Sequence, residues 1–231
     1  MISIIIPTYN EADQIANTIT VIKRNAVATD YEIIVVDGNS NDETIAIAEA
    51  NGAITFISIK KGRAAQMNFG ASKATGDVLY FLHADSVPPR NFISQILSKY
   101  RNGFSSGGFR LQFDFNHWFL KANAWFTRLN VNAVRFGDQS LFVTKNAFEK
   151  SGGFREDLYM MEDQEIIHRL KRYGKFVVIN DVVTTSARKY HDNGIYRMQA
   201  IFFRIWFLYY MGYSQERLLK LYKRLIRKHK L

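Results

Sequence analysis

The 231-residue chain contains no cysteine. That excludes disulfides, thiolate metal sites and cysteine nucleophiles, and it suits a reducing, cytoplasmic setting. No apolar run approaches the roughly 20 residues needed to cross a bilayer; the most apolar stretch, 201–211, is far shorter and carries Arg204. The opening Met1-Ile2-Ser3-Ile4-Ile5-Ile6-Pro7 has no basic leader and reads as a first strand, not a signal peptide. Internal repeats, low-complexity segments, a Walker-type phosphate loop and a serine nucleophile elbow are also missing. Charge is nearly balanced over residues 1–185, with 20 basic and 19 acidic side chains. A nucleic-acid groove spread over the fold is therefore disfavoured. The net charge of +10 belongs to residues 186–231, where eleven Lys and Arg face two acidic residues.

What is present is core-forming material, 47% hydrophobic and 14% aromatic, enough for one large α/β domain with or without an appendage. Strand and helix patterns alternate over the first hundred residues. Ile2–Ile6, Tyr31–Val36, Ala53–Ile59 and Asp77–Leu82 are apolar runs that predict strands. Ala12, Ile15, Ala16, Ile19 and Ile22 recur at helical spacing behind Asn10, a candidate cap, and Ser40 or Asp42 can cap a helix from Glu43 to Ala50. A third helix is expected over Arg63–Ala74, and Pro88-Pro89 is expected to open a fourth toward Tyr100. Four strands joined by helical crossovers predict a mainly parallel, Rossmann-like sheet with helices on both faces. Further on, Phe109–Phe115 alternates strictly, His117–Leu129 is aromatic at helical spacing, and Gly137-Asp138-Gln139 precedes a strand over Ser140–Thr144. Glu162-Asp163 opens an amphipathic helix, two short strands cover Phe176–Ile179 and Val182–Ser186, and two helices cover Ile195–Met211 and Ser214–Lys228.

Each of the early strands ends in a polar cluster: Thr8 to Glu11, Asp37 to Asp42, and His83 to Asp85. In open α/β sheets ligands bind beyond the carboxyl ends of strands. Period-2 geometry would aim His83 and Asp85 to one side, where a carboxylate can hold a divalent cation that grips a diphosphate; alone, the pair is also an ordinary strand-to-loop junction. Glu11 reads equally as a helix-terminus carboxylate, and Asp37 as turn chemistry or an acceptor for a base or ribose. Lys60-Lys61-Gly62-Arg63 sets cations at a helix start, against the macrodipole. An anionic ligand would explain them, as would a solvated loop.

In order and spacing, Pro7-Thr8-Tyr9-Asn10-Glu11, Val35-Val36-Asp37 with its polar turn, Gly62-Arg63, His83-Ala84-Asp85 and Glu162-Asp163 resemble glycosyltransferase family 2, from Met1 to about Arg188. Within it the chain resembles a short bacterial subgroup associated with arsenosugar-type biosynthesis. The resemblance implies a GT-A fold over 1–190, with a nucleotide-sugar-binding half (1–100), an acceptor-binding half (101–190) and a basic helical tail (191–231). It implies a nucleotide-sugar donor, most often UDP-linked, held with Mn²⁺ or Mg²⁺. Pro7, Thr8, Glu11, Asp37, Arg63, His83 and Ala84 would meet the nucleotide, and Asp85 would bind the metal. Asp163 would be the catalytic base of an inverting displacement, with Glu162 beside it. Two positions depart from the common pattern. His83 stands where an aspartate is usual, which bears on the metal because imidazole suits Mn²⁺ better than Mg²⁺, and Gly38-Asn39 replaces Asp-Gly. Arg188 and His191 are candidates for a diphosphate clamp, His191 also for the metal shell; a surface basic run is the alternative.

In the tail, Leu218, Leu221, Tyr222 and Leu225 share a helix face opposite Arg217, Lys220, Lys223, Arg224, Arg227 and Lys228. A basic amphipathic helix suits anionic lipid headgroups, so peripheral contact with a membrane and a lipid-linked acceptor are expectations; a solvated face or a homodimer contact are alternatives. A nucleotide-sugar-binding protein without transfer activity is the rival to an enzyme, and a nucleic-acid-binding module the more distant one. On the membrane expectation the full chain floats with anionic liposomes and a chain ending at Gly212 does not. Absence of flotation in both would reject it.

Overall fold

The computed structural model describes residues 1–27, 30–135 and 137–227. Lys228, the expected end of the last helix and one of its basic residues, lies outside them. The chain starts with β1 (Ile2–Thr8), buried at every position, as its unbroken apolar run requires of a strand covered on both faces. It continues through α1 (Ala12–Ala26), β2 (Tyr31–Asp37), α2 (Thr44–Ala50), β3 (Ile54–Ile57), α3 (Arg63–Lys73) and β4 (Val78–Phe81). β1 pairs in parallel with β2 from Ile2↔Tyr31 to Thr8↔Asp37, and with β4 from Ile2↔Val78. Alternate residues of β1 enter opposite layers: Ile4 and Ile6 join Ile15, Ile19 and Ile22 of α1, while Ile5 joins Ala64, Met67 and Ala71 of α3.

The second half departs from the parallel pattern. β5 (Ser86–Val87), α4 (Phe92–Arg101), β6 (Phe104–Phe113), α5 (Trp118–Trp125), β7 (Leu141–Thr144), α6 (Lys145–Ser151), α7 (Glu162–Leu170) and β8 (Lys175–Thr185) follow in order. The sheet order is β3-β2-β1-β4-β7-β6-β8-β5. β7 runs antiparallel to both β4 and β6, and β5 antiparallel to β8, while β6 and β8 pair in parallel, so the sheet is mixed, with its larger parallel block at β3-β2-β1-β4. The direction of progress reverses between β1 and β4, which makes the ends of β1, β2 and β4 the natural binding edge.

Several expectations are corrected by local chemistry. Asn10 does not cap α1; it takes a left-handed conformation and its Oδ1 accepts from the Asn41 amide at 2.9 Å, leaving Glu11 as the residue before the helix. α4 starts after Asn91, not at the prolines. β6 begins five residues earlier than alternation suggests, because Gly107 hides in it: a Cβ there would overlap the Val177 carbonyl oxygen and the Phe142 ring. Gly103 with the start of the same strand gives Gly103-Phe104-Ser105-Ser106-Gly107, which has the spacing of a nucleophile elbow but lacks the strand-turn-helix geometry that chemistry needs. The two short strands expected near 176–186 are one strand, β8, with a register break opposite Phe109 and Arg110. α6, unsignalled by periodicity, is capped by the Thr144 side chain, which accepts from the Ala147 amide.

The chain closes with α8 (Arg188–Asn193), α9 (Ile195–Tyr210) and α10 (Gln215–Leu225). Met198, Ile201, Ile205, Leu218 and Tyr222 form a third apolar cluster with Leu120 of α5 and Ala187 and Tyr190 beside and within α8. Arg217, Lys220, Lys223, Arg224 and Arg227 stay exposed. Among the described residues no helix is long and apolar enough to cross a membrane.

The packing of β6 on β8 makes Gly107→Ala a sensitive change. It is expected to destabilise the fold by about 1–3 kcal/mol, lowering the thermal midpoint by about 2–4 °C per kcal/mol. An unchanged midpoint would contradict the close approach.

Candidate active site

Two strand ends are stitched together at the binding edge. Asp37 ends β2 beside Thr8 at the end of β1 and is fully buried. Its carboxylate accepts from Thr8 Oγ1 at 3.0 Å, from the Ser40 amide at 2.6 Å and from Ser40 Oγ at 2.6 Å. Turn chemistry and a ligand-facing role are thus not alternatives here, since three bonds leave part of the carboxylate's accepting capacity unused. The Asn10 amide donates to Ser40 Oγ, and the Glu11 amide to Thr44 Oγ1. Gln66 of α3, which nothing in the sequence singled out, donates to the carbonyls of Thr8 at 2.7 Å and Val36 at 2.8 Å. Pro7 is buried within β1, opposite Val36. The Glu11 carboxylate lies 3.7 Å from the Arg188 guanidinium, so α8 is held against this edge.

A second group forms where α3 meets α7. Arg63, the first residue of α3, donates through Nε to Glu162 Oε1 at 2.6 Å and pairs through its terminal nitrogen with Glu162 and, at 3.3 Å, with Asp163 Oδ2. A cation at a helix start is unfavourable, but two carboxylates at the start of α7 compensate it and are themselves favoured there. Two of the three cations around the start of α3 are therefore met by the protein's own acids, Arg63 in this way and Lys60 by Glu156 at 2.8 Å, while Lys61 is exposed. Burial raises the Glu162 carboxyl against the pull of Arg63. Burial alone would lower the Arg63 guanidinium, yet Glu162 and Asp163 outweigh it and hold it above its usual value. The side chain of Glu162 is 2% exposed and that of Asp163 14%. Only Asp163 is open to an incoming group. Among the described residues Glu162 Oε2 is buried without a hydrogen-bond partner.

The third group follows β4. That strand stops at Phe81, and the chain turns, with the Ser86 amide donating to the His83 carbonyl at 3.1 Å. Period-2 geometry consequently does not reach His83 and Asp85, and they meet different neighbours. His83 Nδ1 lies 3.1 Å from Asp138 Oδ1. Asp85 lines a cavity of about 110 Å³ with Gln14, Asn17 and Thr18 of α1, Asp114, and Thr184 and Thr185 of β8. Ala84 is buried, and its carbonyl accepts from Thr18 Oγ1 at 2.5 Å. Asp138 sits in a one-turn helix over Gly137–Gln139. Partial burial, with the side chain 45% exposed, works to raise its carboxyl, but the hydrogen bond of His83, with Lys189 and Arg63 nearby, holds it below the usual carboxylate range. Gly137 is wedged between the groups: a Cβ there would overlap the Asp163 carboxylate and come within 2.9 Å of His83 Cε1.

The structure thus brings Arg63, His83, Asp138, Glu162 and Asp163 into one cluster. Thr8, Glu11 and Asp37 form the adjoining strand-end cradle, joined to α8 through Arg188. His191 is not part of either; it is exposed, and its ring packs 4.3 Å from that of Phe115. Among the described residues no three His, Cys, Asp or Glu side chains form a group fit to hold a metal, so Asp85, His83 and His191 are not a ready-made metal shell. Asp138 is the residue that sequence reasoning missed. Gly137-Asp138-Gln139 had registered only as a turn before a strand, and its distance from His83 in the chain hid the pairing.

Comparison with known proteins gives this geometry a family. Glycosyl transferase family 2 matches residues 3–159. A dolichol-phosphate mannosyltransferase of Pyrococcus furiosus is 30% identical over 107 residues, 44% of this chain and 30% of that protein. The chain spans about a third of the length of the curated relatives it matches. Among solved structures, the mannosyltransferase PcManGT of Pyrobaculum calidifontis in complex with GDP-Man and Mn²⁺ has a TM-score of 0.70 at 17% identity, covering 97% of this chain and 69% of that one. Staphylococcus aureus TarS in complex with UDP-GlcNAc has a TM-score of 0.64 at 15% identity, covering 80% and 58%. At such identities the structural likeness speaks for the GT-A fold alone. The family match runs from β1 to the approach to α7 and takes in all three polar strand ends: the chain belongs to glycosyl transferase family 2.

Proposed function

We propose that this chain is an inverting glycosyltransferase that moves a sugar from a nucleotide-sugar donor, UDP-linked, to an acceptor hydroxyl or phosphate. The observation that carries the reading is the Arg63–Glu162–Asp163 cluster beside the strand-end cradle, with Asp163 the accessible carboxylate. In a single displacement Asp163 takes the proton of an acceptor hydroxyl as its oxygen attacks the anomeric carbon and the bond to the diphosphate breaks. Asp37, with Pro7, Thr8 and Glu11, cradles the nucleoside, and Ala84 packs beside it. Arg63 and Arg188 oppose the charge of the leaving diphosphate.

A divalent cation, Mn²⁺ or Mg²⁺, suits the chemistry of an imidazole at His83 and a carboxylate at Asp85, although the two face different neighbours in this structure, with the remaining ligands left for phosphate oxygens. When bound, it supplies neutralisation of the developing diphosphate charge. The PcManGT and TarS complexes, which contain GDP-Man with Mn²⁺ and UDP-GlcNAc respectively, support a nucleotide-sugar donor. The dolichol phosphate in the name of the Pyrococcus relative supports a lipid-linked acceptor, for which the exposed basic face of α10 would give contact with an anionic bilayer surface. Membership of the short subgroup associated with arsenosugar-type biosynthesis, marked by His83, is part of this proposal.

Three measurements test it. Asp163→Asn is expected to lower kcat by about 10²–10⁴-fold with donor binding retained; activity near that of the parent would remove Asp163 as the base, and a parent that binds donor but transfers nothing would leave only a nucleotide-sugar-binding protein. Gly137→Ala is expected to lower turnover, because the methyl group must displace Asp163 and His83, while the Asp37 cradle still takes free UDP. In a thermal-shift panel with Mn²⁺, UDP-sugars are expected to raise the midpoint more than GDP-sugars, a ligand at 100 times its Kd contributing about 2.7 kcal/mol. No response to any nucleotide sugar would sink the donor site.

A further inference from the structure

The His83 imidazole is held at one end only. Nδ1 faces Asp138 Oδ1 at 3.1 Å, the side chain is 13% exposed, and among the described residues Nε2 has no hydrogen-bond partner. Both partners hang from the same strand pair. His83 follows β4 by two residues and Asp138 precedes β7 by three, and Phe81 at the end of β4 pairs with Leu141 at the start of β7. The turn carrying Asp138 is anchored on its far side. Gln139 is buried, its Nε2 donating to the Val134 carbonyl at 2.6 Å, and Tyr80 Oη of β4 donates to Ser140 Oγ at 3.0 Å. An ionised carboxylate can only accept, so in the neutral ring Nδ1 carries the proton and Nε2 presents its lone pair. In this arrangement a carboxylate behind the ring orients a histidine for metal binding.

We propose that Asp138 is a positioning residue that fixes His83 as the Nδ1–H tautomer and thereby makes Nε2 a nitrogen ligand for the donor's cation. The inference rests on the reading of the site as one that takes a nucleotide with a divalent cation. Its consequence is selectivity. A nitrogen ligand disfavours Mg²⁺, which prefers oxygen, relative to Mn²⁺, so the departure at position 83 is matched by a partner 55 residues on.

The test is Mn²⁺ titration of the full chain with saturating UDP, read by the electron paramagnetic resonance of free Mn²⁺ and by the nitrogen coupling of bound Mn²⁺. The parent is expected to show an imidazole nitrogen coupling that His83→Ala removes. Asp138→Asn is expected to weaken Mn²⁺ binding about 10–100-fold, while UDP binding without metal and the thermal midpoint stay within error. His83→Asp should shift preference toward Mg²⁺ and make a further Asp138→Asn change cost less than about twofold, because no imidazole remains to orient. Two results overturn the positioning role and leave the donor-site reading standing: a parent that binds Mn²⁺ with UDP but shows no nitrogen coupling, or an Asp138→Asn loss as large in the His83→Asp background as in the parent. A parent that binds neither UDP nor Mn²⁺ overturns both.

Discussion

The guanidinium of Arg63 joins two helix starts that lie about a hundred residues apart in sequence. Glu162 is almost wholly buried and one of its oxygens has no hydrogen-bond partner among the described residues. An ionised carboxylate in that position is tolerable only with a cation in direct contact, because removing a charge from water without a partner is costly. Arg63 is that cation, and its remaining reach goes to Asp163. One interaction therefore ties the start of α3 to the start of α7, offsets the burial of Glu162, and leaves Asp163 as the more accessible carboxylate. The arrangement divides the labour within the Glu162-Asp163 pair: the first anchors and the second is available for chemistry.

Around that pair the sheet does the positioning. β1 and β2 end together, Thr8 opposite Asp37, while β4 stops at Phe81 opposite Ile5, and the loops that leave β1 and β2 are cross-bonded through Ser40, Asn10, Asp42 and Thr44. The antiparallel strand β7 then returns Asp138 to the end of β4. Gly137 permits the closest approach, since any side chain there would occupy the space of Asp163 and His83. The basic C-terminal helices are attached through their own apolar cluster and α8, which places Arg188 and Lys189 over the acidic edge while the other cations remain at the surface.

The parallel block was legible in the sequence because buried strands read as unbroken β-branched runs and their polar ends fall at fixed places: Thr8, Asp37, His83, Asp85. Asp163 was legible because an acidic pair opening an amphipathic helix is a local pattern. The failures share a cause in non-local packing. β6 is longer than its alternation shows, since Gly107 is dictated by the Val177 carbonyl and the Phe142 ring; Asn10 is drawn to the Asn41 amide across 31 residues instead of capping its own helix. The exposed place of His191, with its ring against that of Phe115, is likewise not visible in the basic run that it follows.

By itself, then, the sequence determined the strand-and-helix alternation, the polar strand ends and the residue types present there, all of which follow from periodicity and local turn chemistry. Only the tertiary structure decided which of those side chains meet. Pairings such as Arg63 with Glu162, His83 with Asp138 and Glu11 with Arg188 depend on the order and direction of strands in the sheet. No local pattern encodes that order, because it is set by how the apolar faces of distant segments pack.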